Sequence, residues 1–137
     1  MIIIDASIIV KWIKSDEVDS EKAKSIYNLH RSGKERILVP QWIFIEVSNY
    51  LVTKSRSTSS HIRKLMNFLF SLNLEIYQVQ RNDIIEATLL AKELRTTAYD
   101  MLYAVVAKKY RTILVTADKR FVEKTKFSHV KLLTDMV

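Results

Sequence analysis

The sequence predicts an α/β fold in which a parallel β-sheet carries helices on both faces. Two observations predict it. Short apolar runs alternate along the chain with longer stretches of helical periodicity. The short runs do not alternate with polar residues, which is typical of strands buried on both faces. A chain of 137 residues has the length of one domain, so we expect residues 1–137 to form a single domain with right-handed crossovers.

Five segments are strand candidates. The runs at 2–4, 37–39 and 113–115 are the strongest because they are continuous and β-rich, whereas those at 74–79 and 130–133 are weaker. The helical stretches are 7–14, 19–32, 41–55, 59–72, 82–95, 99–110 and 119–126.

Local signals support these boundaries. Pro40 closes the second strand at a position where a helix can begin. The polar stretch 53–61 marks a break between two helices. The residues that recur at helical spacing in 82–95, and so predict its buried face, are Ile84, Ala87, Ala91 and Leu94.

Composition restricts the function. The chain has no cysteine, which excludes a disulfide, a thiolate metal site and a thiol nucleophile. It shows no signal-peptide pattern and no apolar stretch near the roughly 20 residues that span a bilayer, so we expect a cytoplasmic protein. The net charge is +7, from 22 basic and 15 acidic side chains. This excess favours polyanionic partners, although a lysine-rich solvated surface gives the same charge.

Four carboxylates stand where predicted elements meet. Asp5 follows the first strand directly, and Asp118 comes three residues after Val115 in the fourth. Glu46 lies about two turns into the helix after the second strand, and Asp100 lies in the first turn of an apolar helix. If strands one and four are neighbours, the loops that carry Asp5 and Asp118 lie side by side at the carboxyl edge of the sheet.

Each carboxylate also has a purely structural explanation. Asp5 and Asp118 are placed to cap the helices that follow them, and Thr97 with Asp100 has the spacing of a capping box. Glu46 fits a solvated position less well, because its neighbours are apolar. Taken singly, both explanations stay open; the joint placement favours a shared site.

A shared site would call for a metal ion. Like charges that converge raise one another's pKa values, and a divalent cation removes that repulsion. Oxygen ligands without His or Cys favour Mg²⁺ or Mn²⁺, which also accept phosphate oxygens. Without these four acids, the chain has 22 basic and 11 acidic side chains. The pattern predicts an acidic metal site in a basic field, suited to a polyphosphate.

Four stretches carry a family resemblance: IIIDASIIVKW, IEVSNYL, TAYDMLYAVVAKKY and LVTADKRF. Their order and spacing resemble the motifs of PIN-domain proteins, above all the VapC-type toxins of toxin–antitoxin pairs. Any one motif is weak, but the four together are specific and run from residue 2 to 121. The resemblance implies a three-layer α/β/α sandwich with a roughly five-stranded parallel sheet, and a Mg²⁺- or Mn²⁺-dependent endoribonuclease.

The resemblance also assigns roles to residues. The positions that match the family's catalytic acids are Asp5, Glu46, Asp100 and Asp118. As a hypothesis, Asp5, Asp100 and Asp118 hold the metal directly or through water, and Glu46 completes the shell or orients the attacking water. The supporting polar side chains that match are Ser7, Asn49 and Thr116. The implied partners are an RNA substrate, a separate antitoxin protein and a second copy in a homodimer.

Other residues near the motifs are weaker candidates. Lys11, Lys119 and Arg120 are placed either to contact phosphates or to serve as surface charges. Tyr99 and Trp12 are candidates for stacking on unpaired bases, although packing in the core is the favoured interpretation.

Competing families fit less well. A phosphoacceptor receiver domain requires two adjacent acids after the first strand, but Ala6 follows Asp5. A haloacid-type phosphatase requires a second Asp where Ser7 stands. Two alternatives stay open: a catalytically silent PIN-like module that binds RNA or an antitoxin, and a structure-specific DNA nuclease.

Overall fold

A single five-stranded sheet organises the computed structural model, which describes residues 1–14, 16 and 18–136. The strands are β1 (Ile2–Ile4), β2 (Ile37–Pro40), β3 (Glu75–Tyr77), β4 (Leu114–Thr116) and β5 (Val130–Leu132). Their order across the sheet is β3-β2-β1-β4-β5, and every neighbouring pair is parallel. The predicted α/β fold with a five-stranded parallel sheet is confirmed.

Seven α-helices flank the sheet in the described part of the chain. They are α1 (Ala6–Ile13), α2 (Ser20–Arg31), α3 (Trp42–Thr53), α4 (Ser59–Ser71), α5 (Arg81–Leu94), α6 (Ala98–Lys109) and α7 (Lys119–Thr125), with a 3₁₀ helix at Leu133–Asp135. α1 packs against β1 and β4, α6 packs against β1, β2 and β4, and α5 covers α6. Among the described helices, none combines the length and the apolar character needed to cross a bilayer.

The core centres on β1 and α6. All three residues of β1 are buried, and so is the continuous run 101–107 in α6. A helix that is apolar nearly all round is stable only when other elements enclose it, as the sheet and α5 do here. Asp5 directly follows β1 and Asp100 opens α6, so the best-packed elements of the molecule position both acids.

The strand register brings the ends of β1 and β4 together. Ile3 pairs with Leu114, and Ile4 pairs with Val115. Asp5 and Thr116 are the next residues along, at the same edge of the sheet. Strands one and four are therefore neighbours, which is the condition on which the loops of Asp5 and Asp118 were expected to come together.

The buried face of α5 differs from the prediction at one position. Ala87 and Ala91 are buried as predicted, but the side chain of Ile84 is 53% exposed. The reason lies in the first turn of α5. There Asp83 is buried and accepts hydrogen bonds, and the adjacent Ile84 is exposed. Asp83 thus occupies the inward-facing position that the hydrophobic periodicity predicted for Ile84.

Candidate active site

Asp5 lies between β1 and α1, and neutral groups hold both of its carboxylate oxygens. Oδ1 accepts hydrogen bonds from the Ser7 amide at 3.1 Å and from the Ser7 hydroxyl. Oδ2 accepts from the Thr116 hydroxyl at 2.5 Å. The Ser7 hydroxyl in turn accepts from the Ala117 amide at 2.9 Å. Asp5 therefore caps α1 and also ties the end of β1 to the end of β4.

The environment of Asp5 disfavours its charge. Its side chain is only 8% exposed. The pKa of Asp5 is raised from 3.8 to about 7. Burial is the main cause, the charges of Asp100 and Glu46 add to the rise, and the hydrogen bonds from Ser7 and Thr116 oppose it. Asp5 thus lacks electrostatic compensation at neutral pH.

Glu46 projects from α3 into the same region. Its Oε1 accepts hydrogen bonds from the Trp42 indole nitrogen, one turn earlier, and from the Tyr103 hydroxyl at 2.7 Å. Burial raises the pKa of Glu46, the hydrogen bonds from Tyr103 and Trp42 lower it, and the charge of Asp100 raises it again. Tyr103 is fully buried on α6, so it fixes the position of Glu46 relative to the core.

Asp100 and Asp118 lie at the starts of α6 and α7. The Asp100 amide donates to the Thr97 hydroxyl at 3.1 Å, as the capping-box spacing suggested. Burial raises the pKa of Asp100; the Thr97 side chain lowers it, and the charge of Asp118 raises it. Asp118 caps α7 by accepting from the Phe121 amide at 3.0 Å. Asp100 and Asp118 therefore take part in capping their helices and also belong to the group of interacting acids.

The four acids form one electrostatic group but not one ligand cluster. Asp5 interacts with Glu46 and Asp100, Glu46 interacts with Asp100, and Asp100 interacts with Asp118. In the described residues, however, no three acidic or histidine side chains lie close enough together to hold a metal ion. Local donors hold both carboxylate oxygens of Asp5 and one oxygen each of Glu46 and Asp118. Repulsion between like charges also opposes closer approach.

The predicted supporting residues divide into two groups. Ser7 and Thr116 contact Asp5, as described above. Asn49 lines the same cavity as Glu46 and is exposed, but among the described residues its side chain has no hydrogen bond to a carboxylate. One helical turn separates Asn49 from Glu46, whose oxygen is already held by Trp42 and Tyr103.

Comparison with known proteins identifies the family. The PIN domain family model matches residues 2–126, a range that contains all four acids. This chain belongs to the PIN domain family. No curated protein matches it.

Solved structures share the PIN fold. A protein from Pyrobaculum aerophilum is 21% identical with a TM-score of 0.66, over 97% of this chain and 90% of that one. A VapC toxin of Mycobacterium tuberculosis that cleaves the sarcin–ricin loop is 14% identical with a TM-score of 0.69, over 91% and 95%. A VapBC complex of Rickettsia felis bound to a promoter DNA fragment is 17% identical with a TM-score of 0.69, over 96% and 98%. At these identities the likeness shows the fold.

The donor set of this PIN domain fits a hard divalent cation. All four candidate ligands are carboxylates, which suit Mg²⁺ or Mn²⁺. No salt bridge joins any of them to a Lys or Arg side chain in the described chain. Burial without a counter-charge is the condition that a dication relieves. Because Mg²⁺ retains several waters, the side chains need not all contact it directly.

Basic side chains flank the acids of the PIN domain. Arg95, Arg120 and Lys124 line a cavity together with Asp100 and Asp118. Lys11 lines the cavity beside Glu46 and donates to the Val18 carbonyl at 2.6 Å. The ammonium of Lys119, which the sequence left open as a phosphate contact or a surface charge, lies 3.9 Å from the carboxylate of Glu123. Positive charge thus lies on both sides of the acidic group.

Aromatic residues at the site include two that the sequence did not reveal. Trp42 and Tyr103 hold Glu46, and only the four-residue spacing of Trp42 and Glu46 on α3 signals the first contact. Trp12 donates to the Ala23 carbonyl at 2.7 Å and packs against the core, as predicted. The favoured interpretation of Tyr99 as a core residue is wrong, because its side chain is 58% exposed.

Proposed function

We propose that this PIN domain is a divalent-metal-dependent endoribonuclease, the toxin of a VapBC-type toxin–antitoxin pair, and that it acts in the cytoplasm. The observation that carries the proposal is the group of Asp5, Glu46, Asp100 and Asp118. Burial raises the pKa of the first three, and none of the four has a cationic partner among the described residues. A fold that needed these acids only as helix caps would gain nothing from collecting them in one electrostatic group.

We assign a role to each acid. Asp5, Asp100 and Asp118 would hold the ion directly or through water, and Mg²⁺ or Mn²⁺ bound there would activate water and offset charge on the phosphate. Glu46 orients the attacking water and accepts its proton at a carboxylate oxygen, because burial raises its pKa and so makes the carboxylate a stronger base. Hydrolysis breaks one phosphodiester P–O bond and forms one new P–O bond to the water oxygen; Glu46 takes one proton from the water, and solvent protonates the departing oxygen.

The supporting residues hold these acids in place. Ser7 and Thr116 orient the Asp5 carboxylate, and Trp42 and Tyr103 orient that of Glu46. We assign Asn49, which lines the cavity beside Glu46, to contact with the substrate or with water in that cavity. Arg120 is placed beside Asp100 and Asp118 to meet a phosphate.

The proposed protein partners rest on the fold neighbours. The solved relatives include a toxin–antitoxin complex from Klebsiella pneumoniae and the Rickettsia felis VapBC complex. By analogy we propose that a separate antitoxin silences this chain and that two copies form a homodimer. Co-expression with the product of a short adjacent reading frame should restore the growth of cells that express the chain.

A cleavage assay with a matched control tests the activity. Purified protein with Mn²⁺ should cut single-stranded RNA, and Asp100→Asn should reduce the rate more than about 100-fold. Asp135→Asn, which removes an exposed acid outside the site, should leave the rate unchanged. Calorimetry should show Mn²⁺ binding that Asp118→Ala weakens. Cleavage of DNA alone would favour a DNA nuclease, and the absence of both Mn²⁺ binding and cleavage would favour a silent binding module.

A further inference from the structure

An exposed aromatic pair stands at the edge of the proposed active site. Tyr99 of α6 stacks on Trp42 of α3, with ring centroids 4.4 Å apart and an interplanar angle of 17°. More than half of the Tyr99 side chain remains exposed. Near-parallel stacking uses one face of the tyrosine ring and leaves the other for a further planar group.

Each residue of the aromatic pair is linked to one acid of the proposed active site. The Trp42 indole nitrogen donates to Glu46, and Tyr99 directly precedes Asp100 in α6. The orientation of the rings is thus set by the helices that carry these two acids. A group stacked on Tyr99 would therefore lie at a fixed position relative to the carboxylates.

The cavity at the pair combines apolar walls with positive charge. It has a volume of about 580 Å³, within the range of roughly 300–1,000 Å³ that is usual for small-molecule sites. Tyr99, Trp42 and Ile45 line it with apolar surface, and Lys11 and Lys54 line it with ammonium groups. Aromatic rings beside cations are the combination that binds single-stranded nucleic acid, the rings for the bases and the cations for the phosphates.

We propose that the exposed ring of Tyr99 is a stacking platform for one unpaired base of a single-stranded RNA substrate, next to the bond that is cut. The inference rests on the proposed ribonuclease function and adds its substrate class. Bases within a duplex have both faces covered by their neighbours, so the platform selects unpaired segments. An arginine side chain of a protein partner also stacks on aromatic rings, but the two lysines of the cavity favour a phosphate-bearing ligand.

A binding experiment with a control on the same helix tests the platform. The probe is a fluorescein-labelled 12-nucleotide single-stranded RNA at low salt, with Ca²⁺ in place of Mg²⁺ and the intact strand verified on a gel. Tyr99→Ala should weaken binding about 5- to 150-fold, the effect of losing one base–aromatic stack. Tyr99→Trp should retain wild-type affinity. Tyr110→Ala removes another exposed tyrosine at the far end of α6, and it should change nothing.

Two further probes separate stacking from other contacts. Inorganic polyphosphate has charge without bases, and an RNA duplex has no unpaired bases, so Tyr99→Ala should leave the affinity for both unchanged. Tyr99 is exposed, and unaltered circular dichroism and melting temperature will show that the variants are folded. Binding of single-stranded RNA by Tyr99→Ala within twofold of wild type overturns the proposal. An equal loss of affinity for polyphosphate overturns it as well. A hexa-arginine peptide represents the alternative partner, and a loss of affinity for this peptide alone also overturns the proposal.

The platform and the nuclease can fail separately. If Asp100→Asn retains full cleavage while Tyr99→Ala loses affinity for single-stranded RNA, the proposed catalytic role of Asp100 is wrong and the platform stands. If Asp100→Asn abolishes cleavage while Tyr99→Ala binds normally, the platform is wrong and the function stands.

Discussion

Two buried aspartates in this PIN domain, Asp5 and Asp83, lie in opposite electrostatic environments. Both contribute to the start of a helix, and the two residues are 8% and 4% exposed. Asp83 accepts from the Tyr77 hydroxyl at 2.5 Å and from the Gln80 amide at 2.8 Å, and the Lys109 ammonium lies 3.3 Å away. Burial would raise the pKa of Asp83, but these three partners together hold it below its usual value.

Asp5 has comparable burial and no cation. Its partners are neutral hydroxyls and an amide, its charged neighbours are other acids, and its pKa is raised to about 7. The difference indicates the role of each residue. Asp83 is satisfied within the fold, whereas Asp5 is held in position but lacks a counter-charge, as a residue that binds a cation should be. Substitutions at the two positions should therefore have opposite consequences.

The largest expected difference is in catalysis. Asp5→Asn should reduce Mn²⁺-dependent RNA cleavage more than about 100-fold, because it removes a proposed ligand. Asp83→Asn should keep the wild-type rate per folded molecule, since Asp83 is held by Tyr77, Gln80 and Lys109 and is not among the charges that act on Asp5, Glu46 or Asp100. Initial rates of cleavage, with the folded fraction measured by circular dichroism, test the comparison. Equal losses in the two variants would refute the distinction.

The second difference is in stability without metal. In EDTA at pH 8, Asp5→Asn should raise the free energy of unfolding, by at most about 4 kcal/mol for a pKa displaced from 3.8 to about 7. Asn can still cap α1. Asp83→Asn should lower the free energy of unfolding by about 1–3 kcal/mol, because Lys109 and Tyr77 lose their charged partner. Urea unfolding measures both, and a less stable Asp5→Asn protein would contradict the account.

The pH dependence of stability should share this origin. The folded state holds the Asp5 proton more tightly than the unfolded state does. The contribution of Asp5 to stability is therefore highest below the unfolded pKa of 3.8 and falls as pH rises towards about 7. The raised pKa values of Glu46 and Asp100 act in the same direction. Asp83, with its lowered pKa, contributes stability that is lost only in stronger acid.

Thermal unfolding at pH 5 and pH 8 tests this prediction. In EDTA the melting temperature of the wild-type protein should be lower at pH 8, and Asp5→Asn should reduce the difference. Saturating Mn²⁺ should also reduce it, since bound cations stabilise the ionised acids. A melting temperature that rises between these pH values in EDTA would show that other groups dominate.

The smallest differences concern the hydroxyl groups around each aspartate. Thr116→Val removes the hydroxyl that donates to Asp5 and accepts from the Asp118 amide, so kcat/KM should fall about 10-fold. Tyr77→Phe removes the hydroxyl that donates to Asp83, so stability should fall by about 1 kcal/mol with no change in kcat/KM. Steady-state kinetics and thermal unfolding of both variants test this contrast. A fully active Thr116→Val protein would contradict the proposed role of the Thr116 hydroxyl.

The sequence predicted the fold well because the local signals agree with one another. All five strands lie within two residues of their predicted bounds, and β1 and β4 are neighbours, which is the condition under which Asp5 and Asp118 were expected to lie side by side. Ile84 was misplaced because a polar network turned Asp83 inward. Hydrophobic periodicity treats a polar residue as outward-facing, and it cannot anticipate a buried acid whose partners lie elsewhere in the chain.

The site was predictable as a set of acids at one edge of the sheet, and their catalytic role stays a prediction. The sequence did not show how each acid is held. Tyr103 reaches Glu46 across 57 residues, and Thr116 reaches Asp5 across 111. Such contacts depend on packing and not on local spacing. The exposure of Tyr99 was missed for the same reason, because an aromatic residue at the start of an apolar helix usually packs inward.

The brevity of the central strand has an evolutionary consequence. β1 contains three residues, and the hydrogen bond from Thr116 to Asp5 forms immediately beyond its pairing with β4. A slip of one residue would turn the aspartate to the opposite face of the sheet. Conservative substitutions among the three isoleucines that shift the strand slightly should therefore impair activity before they unfold the protein. Selection for catalytic activity would then restrict the sequence of β1, although its isoleucines do not contact the substrate.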